Sequence, residues 1–123
     1  MSERYSTPKF RLRVVFGPGE MIGPGKAELL ENISRTGSIA AAGREMGMSY
    51  KRAWQLVETM NDMFREPVVL STRGGASGGG ATLTETGQQV LAAYRSFETE
   101  ARSAAGGQIA RLQGMLRRRG NAK

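Results

Sequence analysis

The 123-residue sequence contains no cysteine and no histidine. The chain therefore cannot form a disulfide, a metal site with cysteine or histidine ligands, a Ser-His-Asp triad or a Cys-His dyad. The sequence also shows no carboxylate pair and no nucleophile with an adjacent base, which are the usual signs of a catalytic site. We therefore expect neither an enzyme nor a bound metal or cofactor.

Long apolar runs are missing as well. No window approaches the roughly 20 consecutive apolar residues that cross a bilayer. The first ten residues, MSERYSTPKF, lack the apolar segment of a secretory signal. We therefore expect a cytoplasmic protein without a membrane partner.

Acidic residues are absent after Glu100, and this absence accounts for most of the net charge of +7. Six basic residues follow Glu100, whereas the first hundred residues hold twelve basic and eleven acidic side chains. The sequence pI near 10.6 agrees with nucleic-acid binding. The total charge does not locate that binding, because the basic run at residues 117–119 could equally be a solubilising terminus.

Residues 38–64 predict two short helices around a glycine turn, which is a helix-turn-helix. Ser38 and Ser49 stand where an N-cap hydroxyl accepts a backbone hydrogen bond, and Gly47 can take the positive φ of a tight turn. Gly43 would let the helices cross closely. Apolar residues recur at helical spacing, with Ile39, Ala42, Gly43 and Met46 on the first helix and Ala53, Val57, Met60 and Phe64 on the second.

The opposite face of the second helix carries polar side chains in its first two turns, namely Tyr50, Lys51, Arg52 and Gln55. A recognition helix presents donors to base edges and phosphates in this way. The same pattern is also typical of the solvated side of an ordinary amphipathic helix. Periodicity alone leaves both interpretations open.

The segments before and after this motif complete a larger unit. Residues 10–16 alternate apolar and basic side chains and predict a strand. The glycine-rich residues 17–25 predict a turn with a short return strand, and their spacing does not fit a phosphate-binding loop. Pro24 begins a further helix that ends near Gly37, and Pro67 stops the second motif helix by about Glu66.

A predicted β-hairpin follows the helices. Residues 68–70 and 81–83 are β-prone, and the intervening TRGGASGGG contains Arg73 and five glycines, Gly74, Gly75, Gly78, Gly79 and Gly80. We interpret this hairpin as a wing whose arginine and glycine amides can approach a phosphate strand. A surface loop without function has the same composition.

A long helix is predicted from Thr84 onward. Its apolar residues step by four, three, four and three, which is typical of a dimerisation seam. A single helix cannot bury that seam, so we expect a homodimer. Glycines 106 and 107 should bend or break the helix. The seam consists of Val90, Tyr94, Phe97, Ala101 and Ala104.

Four stretches resemble the DNA-binding half of the ModE-type molybdate-responsive transcription regulators: GPGK at 23–26, TGSIAAAGREMGMSYKRAW at 36–54, GGASGGGA at 74–81 and LTETGQQVL at 83–91. The helix-turn-helix part is also similar to LysR-type regulators. The resemblance implies a mainly α fold with a small β wing (α+β), a winged helix-turn-helix with a long dimerisation helix. It also implies DNA contacts from the second motif helix, at Ser49, Tyr50, Lys51, Arg52 and Gln55, and from the wing, at Arg73. We also expect Ser38, at the start of the first motif helix, to contact DNA.

The expected organisation is a disordered N-terminus at 1–9, a winged helix-turn-helix DNA-binding domain at 10–83, a dimerisation helix at 84–118 and a disordered tail at 119–123. Regulators of this family carry a molybdate-binding region after the long helix, and no β-patterned sequence follows it here. We therefore expect a sequence-specific transcription regulator that binds an inverted repeat in double-stranded DNA as a dimer. Binding of molybdate by this chain is not expected.

Two other functions remain open at this point. The long helix could pair with a different regulator, so that the chain acts as an adaptor or forms mixed dimers. The glycine loops could instead bind an anion through backbone amides, although the wing loop lacks an adjacent helix N-terminus. Sedimentation of the purified chain and titration with molybdate distinguish these functions from DNA binding.

Overall fold

A computed structural model describes residues 4–72 and 80–117. The chain is mainly helical with two small antiparallel hairpins, which confirms the predicted winged helix-turn-helix class. Some predictions fall outside the described residues. These are the predicted disorder at residues 1–3 and 119–123 and the wing residues Arg73, Gly74, Gly75, Gly78 and Gly79. The elements in chain order are β1 (Val14–Gly17), β2 (Glu20–Ile22), α1 (Pro24–Thr36), α2 (Ile39–Glu45), α3 (Tyr50–Met63), β3 (Val69–Thr72), β4 (Gly80–Leu83) and α4 (Glu85–Met115).

The first hairpin is shorter than the predicted strand over residues 10–16. Strand β1 begins only at Val14, and it pairs with the three-residue return strand β2, Val14 opposite Ile22. The register shifts between Val15 and Gly17, so the alternation fails and Phe16 is exposed. Residues 10–13 have no strand partner among the described residues. The strand prediction is therefore wrong for this N-terminal part.

The three helices α1, α2 and α3 form the headpiece, and their ends match the predicted signals. Pro24 occupies the first turn of α1, and Gly37 ends that helix with a φ of 71°. Each of the next two helices begins at a serine N-cap. Their apolar faces meet in one core that includes Leu29, Leu30, Ile33, Ile39, Ala42, Ala53, Val57 and Met60.

The second hairpin, made by β3 and β4, is fixed to the headpiece at its base. Asn61 on α3 accepts hydrogen bonds from the backbone amides of Val68 and Val69 at 2.8 and 3.1 Å, and its amide donates to the Val69 carbonyl at 3.2 Å. The Ala81 amide donates to the Gly37 carbonyl at 2.9 Å. The described base of the wing thus has a fixed position relative to α3.

Helix α4 begins in close contact with the base of the wing. Thr84 caps the helix by accepting from the Gly87 amide at 2.9 Å, and its hydroxyl donates to the Pro67 carbonyl at 2.7 Å. The helix then runs without interruption through Gly106 and Gly107, contrary to the predicted break. Two glycines cost a helix only about 1 kcal/mol each, which good helix formers on both sides offset here. Within residues 4–72 and 80–117, no helix is long and apolar enough to cross a membrane.

The proposed dimer seam on α4 requires a correction at Tyr94. This side chain is only 1% exposed within the single chain, where it packs with Ile22 and Ala27. Its hydroxyl donates to the Leu12 carbonyl at 2.6 Å. The chain's own N-terminal segment therefore covers Tyr94, and this residue is not available to a second copy.

Two other predicted seam residues also have contacts inside the chain. Val90 packs against both core clusters, and Phe97 lies edge-on to the Tyr94 ring with centroids 4.9 Å apart. Further along, Ala101 is half-buried and Ala104 is exposed. Only the part of the seam beyond Phe97 projects clear of the headpiece core.

Candidate nucleic-acid interface

The angle between α2 and α3 depends on two glycines. A Cβ atom added at Gly43 would lie 2.7 Å from the Ala53 Cβ, so only glycine allows the helices to cross this closely. Gly47 has a φ of 74° in the turn, and the Met48 amide donates to the Gly43 carbonyl at 3.0 Å. The turn and the close crossing together hold α3 in one orientation.

The predicted reading residues share one accessible face of α3. Ala53, Val57 and Met60 point into the core, Trp54 and Leu56 are half-buried, and the opposite side of the helix is open to solvent. Its exposed side chains supply an aromatic hydroxyl, an ammonium, a guanidinium and an amide within two turns. They are Tyr50, Lys51, Arg52 and Gln55, of which Tyr50 is 56% exposed.

The two serines predicted to contact DNA are both helix N-caps. Ser38 accepts from the Ala41 amide at 3.0 Å and is half-buried, whereas Ser49 accepts from the Arg52 amide at 3.1 Å and is exposed. A capping hydroxyl oxygen accepts from the helix and still has its own proton to donate. Ser49 can therefore cap α3 and donate to a phosphate at the same time.

Trp54 contributes packing. It is half-buried against the headpiece core, and its ring centroid lies 6.5 Å from that of Tyr50 one turn earlier. The two rings are tilted by 32° relative to each other.

The wing is described only at its base. Gly80 is the first residue of β4, and its amide donates to the Thr72 hydroxyl at 3.2 Å. Gly80 thus belongs to a paired strand. The role of Arg73 and the other wing glycines stays a prediction.

Three basic residues that sequence reasoning did not assign to the site lie beside Arg52. Arg11, Arg13 and Lys26 line one open cavity of about 490 Å³ together with Arg52. The sequence pattern had placed Arg11 and Arg13 on the outer face of a strand, and Lys26 only within GPGK. The only signal in the sequence is that these residues share the positive charge of Arg52. No local periodicity connects them to Arg52.

The ammonium of Lys26 has an unusual environment. The residue is 7% exposed, and its Nζ donates to the Met21 carbonyl at 2.9 Å. Burial lowers the pKa of Lys26 below its ordinary value, and the positive charge of Arg52 lowers the same pKa further. The basic side chains of Arg11, Arg13, Lys26 and Arg52 thus lie together on this side of α3.

The family model of bacterial regulatory helix-turn-helix proteins of the lysR family matches residues 25–88. MopB of Rhodobacter capsulatus, a molybdenum-pterin-binding protein, is 49% identical over 80 residues, which are 65% of this chain and 30% of MopB. The molybdenum transport protein ModE of Azotobacter vinelandii is 42% identical over 86 residues, 70% of this chain and 32% of that protein.

The DNA-binding transcriptional dual regulator ModE of Escherichia coli K12 is 38% identical over 71 residues, 58% of this chain and 27% of that regulator. The chain spans about 30% of the length of the relatives that it matches. These matches confirm the resemblance to ModE-type regulators and support DNA binding. The family match covers just over half of the sequence and includes every element of the winged unit except the first hairpin. The chain belongs to the lysR family of bacterial regulatory helix-turn-helix proteins.

Proposed function

We propose that the chain is a sequence-specific DNA-binding transcription regulator whose helix α3 enters the major groove. The observation that carries this proposal is the exposed polar face of α3, held rigidly by the close crossing at Gly43 and the Ser49 cap. A helix fits the major groove, where each base pair shows a distinct donor and acceptor pattern. DNA binding by the helix-turn-helix relatives supports the same conclusion.

Each residue of this face has a chemically defined role in the proposal. Arg52 or Lys51 donates to guanine O6 and N7, and Gln55 pairs with adenine N6 and N7. Ser49 donates to a backbone phosphate, as does Arg73 from the wing. The Ser38 hydroxyl sits half-buried at the start of α2, so its proposed contact is also with the backbone.

The proposal includes a homodimer formed through the distal part of α4. Leu112, Met115 and Leu116 are 63%, 67% and 50% exposed. Burying such side chains contributes about 1.5–3 kcal/mol each, which favours a partner for this surface. Ala101 and Ala104 precede these residues and allow close approach of a second helix, so the proposed interface includes them. It does not include Tyr94.

A symmetric dimer would place two α3 helices on successive major grooves. Its half-sites would then be about 34 Å apart and would form an inverted repeat. We propose that this binding does not require molybdate, because every group assigned to a DNA contact belongs to the headpiece or to the wing.

Selection from a random oligonucleotide pool tests this function. The expected result is a two-fold symmetric consensus, recovered equally with and without molybdate in the buffer. Recovery of unrelated sequences would contradict sequence-specific reading. A purified chain that sediments as a monomer and selects no sequence would favour the adaptor function, in which the exposed apolar part of α4 pairs with a different regulator.

A further inference from the structure

The cavity beside α3 has a composition that the major-groove contacts do not explain. Its walls come from the segment before β1, the strand β2, the start of α1 and one side of α3. Four of its ten lining residues are cations, namely Arg11, Arg13, Lys26 and Arg52, and none of the lining residues is acidic. Within residues 4–72 and 80–117, no carboxylate lies within salt-bridge distance of these four.

The N-terminus of α1 opens into the same cavity. This helix of 13 residues begins at Pro24; its N-cap residue Gly23 is extended, and no side chain caps the helix. Pro24, Gly25 and Lys26 form its first turn and line the cavity. The first amides of a helix have no partner within the helix, and they carry the positive end of its dipole.

Arg13 crosses directly over this helix start. A Cβ atom added at Gly23 would lie 3.3 Å from the Arg13 Cγ, so the arginine stem lies against the glycine backbone. Arg13 also lines the cavity. From the other side, the Lys26 ammonium is anchored by the Met21 carbonyl and has two further protons to donate.

Keeping four cations together without a carboxylate is electrostatically unfavourable unless an anion joins them. The cavity also has an apolar part, which Met21, Met48 and Leu56 provide. Its volume of about 490 Å³ is in the range of small-molecule sites and exceeds what one oxyanion fills. A ligand of this cavity should therefore have an anionic group that accepts several hydrogen bonds, and a small organic body.

We propose that this cavity binds a phosphate group attached to an organic body, with Arg13, Lys26 and the α1 amides holding the phosphate and Arg52 connecting the cavity to α3. Two sources have this chemistry, a free phosphorylated small molecule and a sugar phosphate of the bound DNA. The proposal rests on the proposed function only for the DNA source. In either case occupancy engages Arg52 and thereby changes how α3 meets the bases.

The test uses the full chain, with adenosine monophosphate as the free probe in isothermal titration and a random-sequence duplex as the DNA probe. Arg13→Gln removes one charge from the cavity lining. Arg65→Gln, an exposed arginine beyond the end of α3 and away from the cavity, is the matched control. Thermal unfolding checks that both variants fold, and Arg11→Gln replaces Arg13→Gln if the latter does not.

Saturable binding of one adenosine monophosphate, weakened at least about tenfold by Arg13→Gln and unchanged by Arg65→Gln, would establish the free source. If the probe does not bind, the DNA source predicts that Arg13→Gln weakens all duplexes alike and reduces the salt slope by about one, beyond any effect of Arg65→Gln.

Equal behaviour of the two variants with both probes would overturn the proposal. If the chain binds adenosine monophosphate in the cavity but binds no DNA, the cavity proposal stands and the proposed function is refuted. A chain that binds neither probe would refute both.

Discussion

Gly43 and Arg52 show how single positions control the orientation and the chemistry of α3. The first has no side chain, and the second places a guanidinium at the boundary between the reading face and the basic cavity. Both could be singled out from the sequence, because a glycine on an apolar helix face and a basic residue on the opposite face are local signals. The link from Arg52 to Arg11 and Arg13 could not, since about forty residues separate them.

Gly43→Ala should destabilise the fold and displace α3. The added methyl group would meet the Ala53 Cβ at 2.7 Å, and overpacking of this kind costs about 1–3 kcal/mol. Urea unfolding followed by circular dichroism measures the loss. Gly114→Ala is the control, because a Cβ there meets nothing within 4 Å and should raise stability by about 0.5–1 kcal/mol. Equal effects of the two changes would show that the crossing does not need glycine.

Local signals placed most helices and strands correctly. The N-caps at Ser38, Ser49 and Thr84 and the turn at Gly47 formed as predicted, since each depends on residues within three or four positions. The errors at the first strand and at Tyr94 involve distant contacts. Phe10 and Leu12 contact α4 instead of extending β1, since Arg102 lies 5.6 Å from the Phe10 ring centroid and Tyr94 donates to the Leu12 carbonyl. No local pattern reveals these neighbours.

The connection between α3 and the wing gives a prediction about Asn61. Asn61→Ala should destabilise the protein by about 1–3 kcal/mol, because the Val68 and Val69 amides lose their acceptor. It should also weaken DNA binding, since the base of the wing is then less firmly positioned. Asn61→Asp is the comparison variant, because it keeps the acceptor and replaces the donor to the Val69 carbonyl by a carboxylate oxygen. Equal losses of stability in both variants would contradict this role for the Asn61 acceptor.

The entire chain combines a compact headpiece with a helix of 31 residues, and their relation decides the dimer interface. A heptad-like period on α4 predicted one continuous seam starting at Val90. The structure divides that surface, because Tyr94 is satisfied by Leu12, 82 residues away along the chain. Periodicity identifies which residues share a face of a helix, but it cannot identify what covers that face.

The exposed end of α4 should support self-association. Replacing Leu112 and Met115 together by lysine should shift the sedimenting species from dimer to monomer, because each apolar side chain contributes about 1.5–3 kcal/mol when buried. The control replaces Gln88 and Gln89 by lysine, which adds the same charge to exposed positions near the start of α4. Dissociation of the control to the same extent would mean that charge, and not apolar contact, governs assembly.

The most direct measurement is the affinity of the chain and its Arg52→Ala variant for the selected DNA sequence and for duplexes with each base pair changed in turn. We expect the variant to lose about 1–3 kcal/mol on the selected sequence and to become indifferent to the base pair at one position of each half-site. Equal weakening on every duplex, with discrimination between bases unchanged, would contradict base reading by α3.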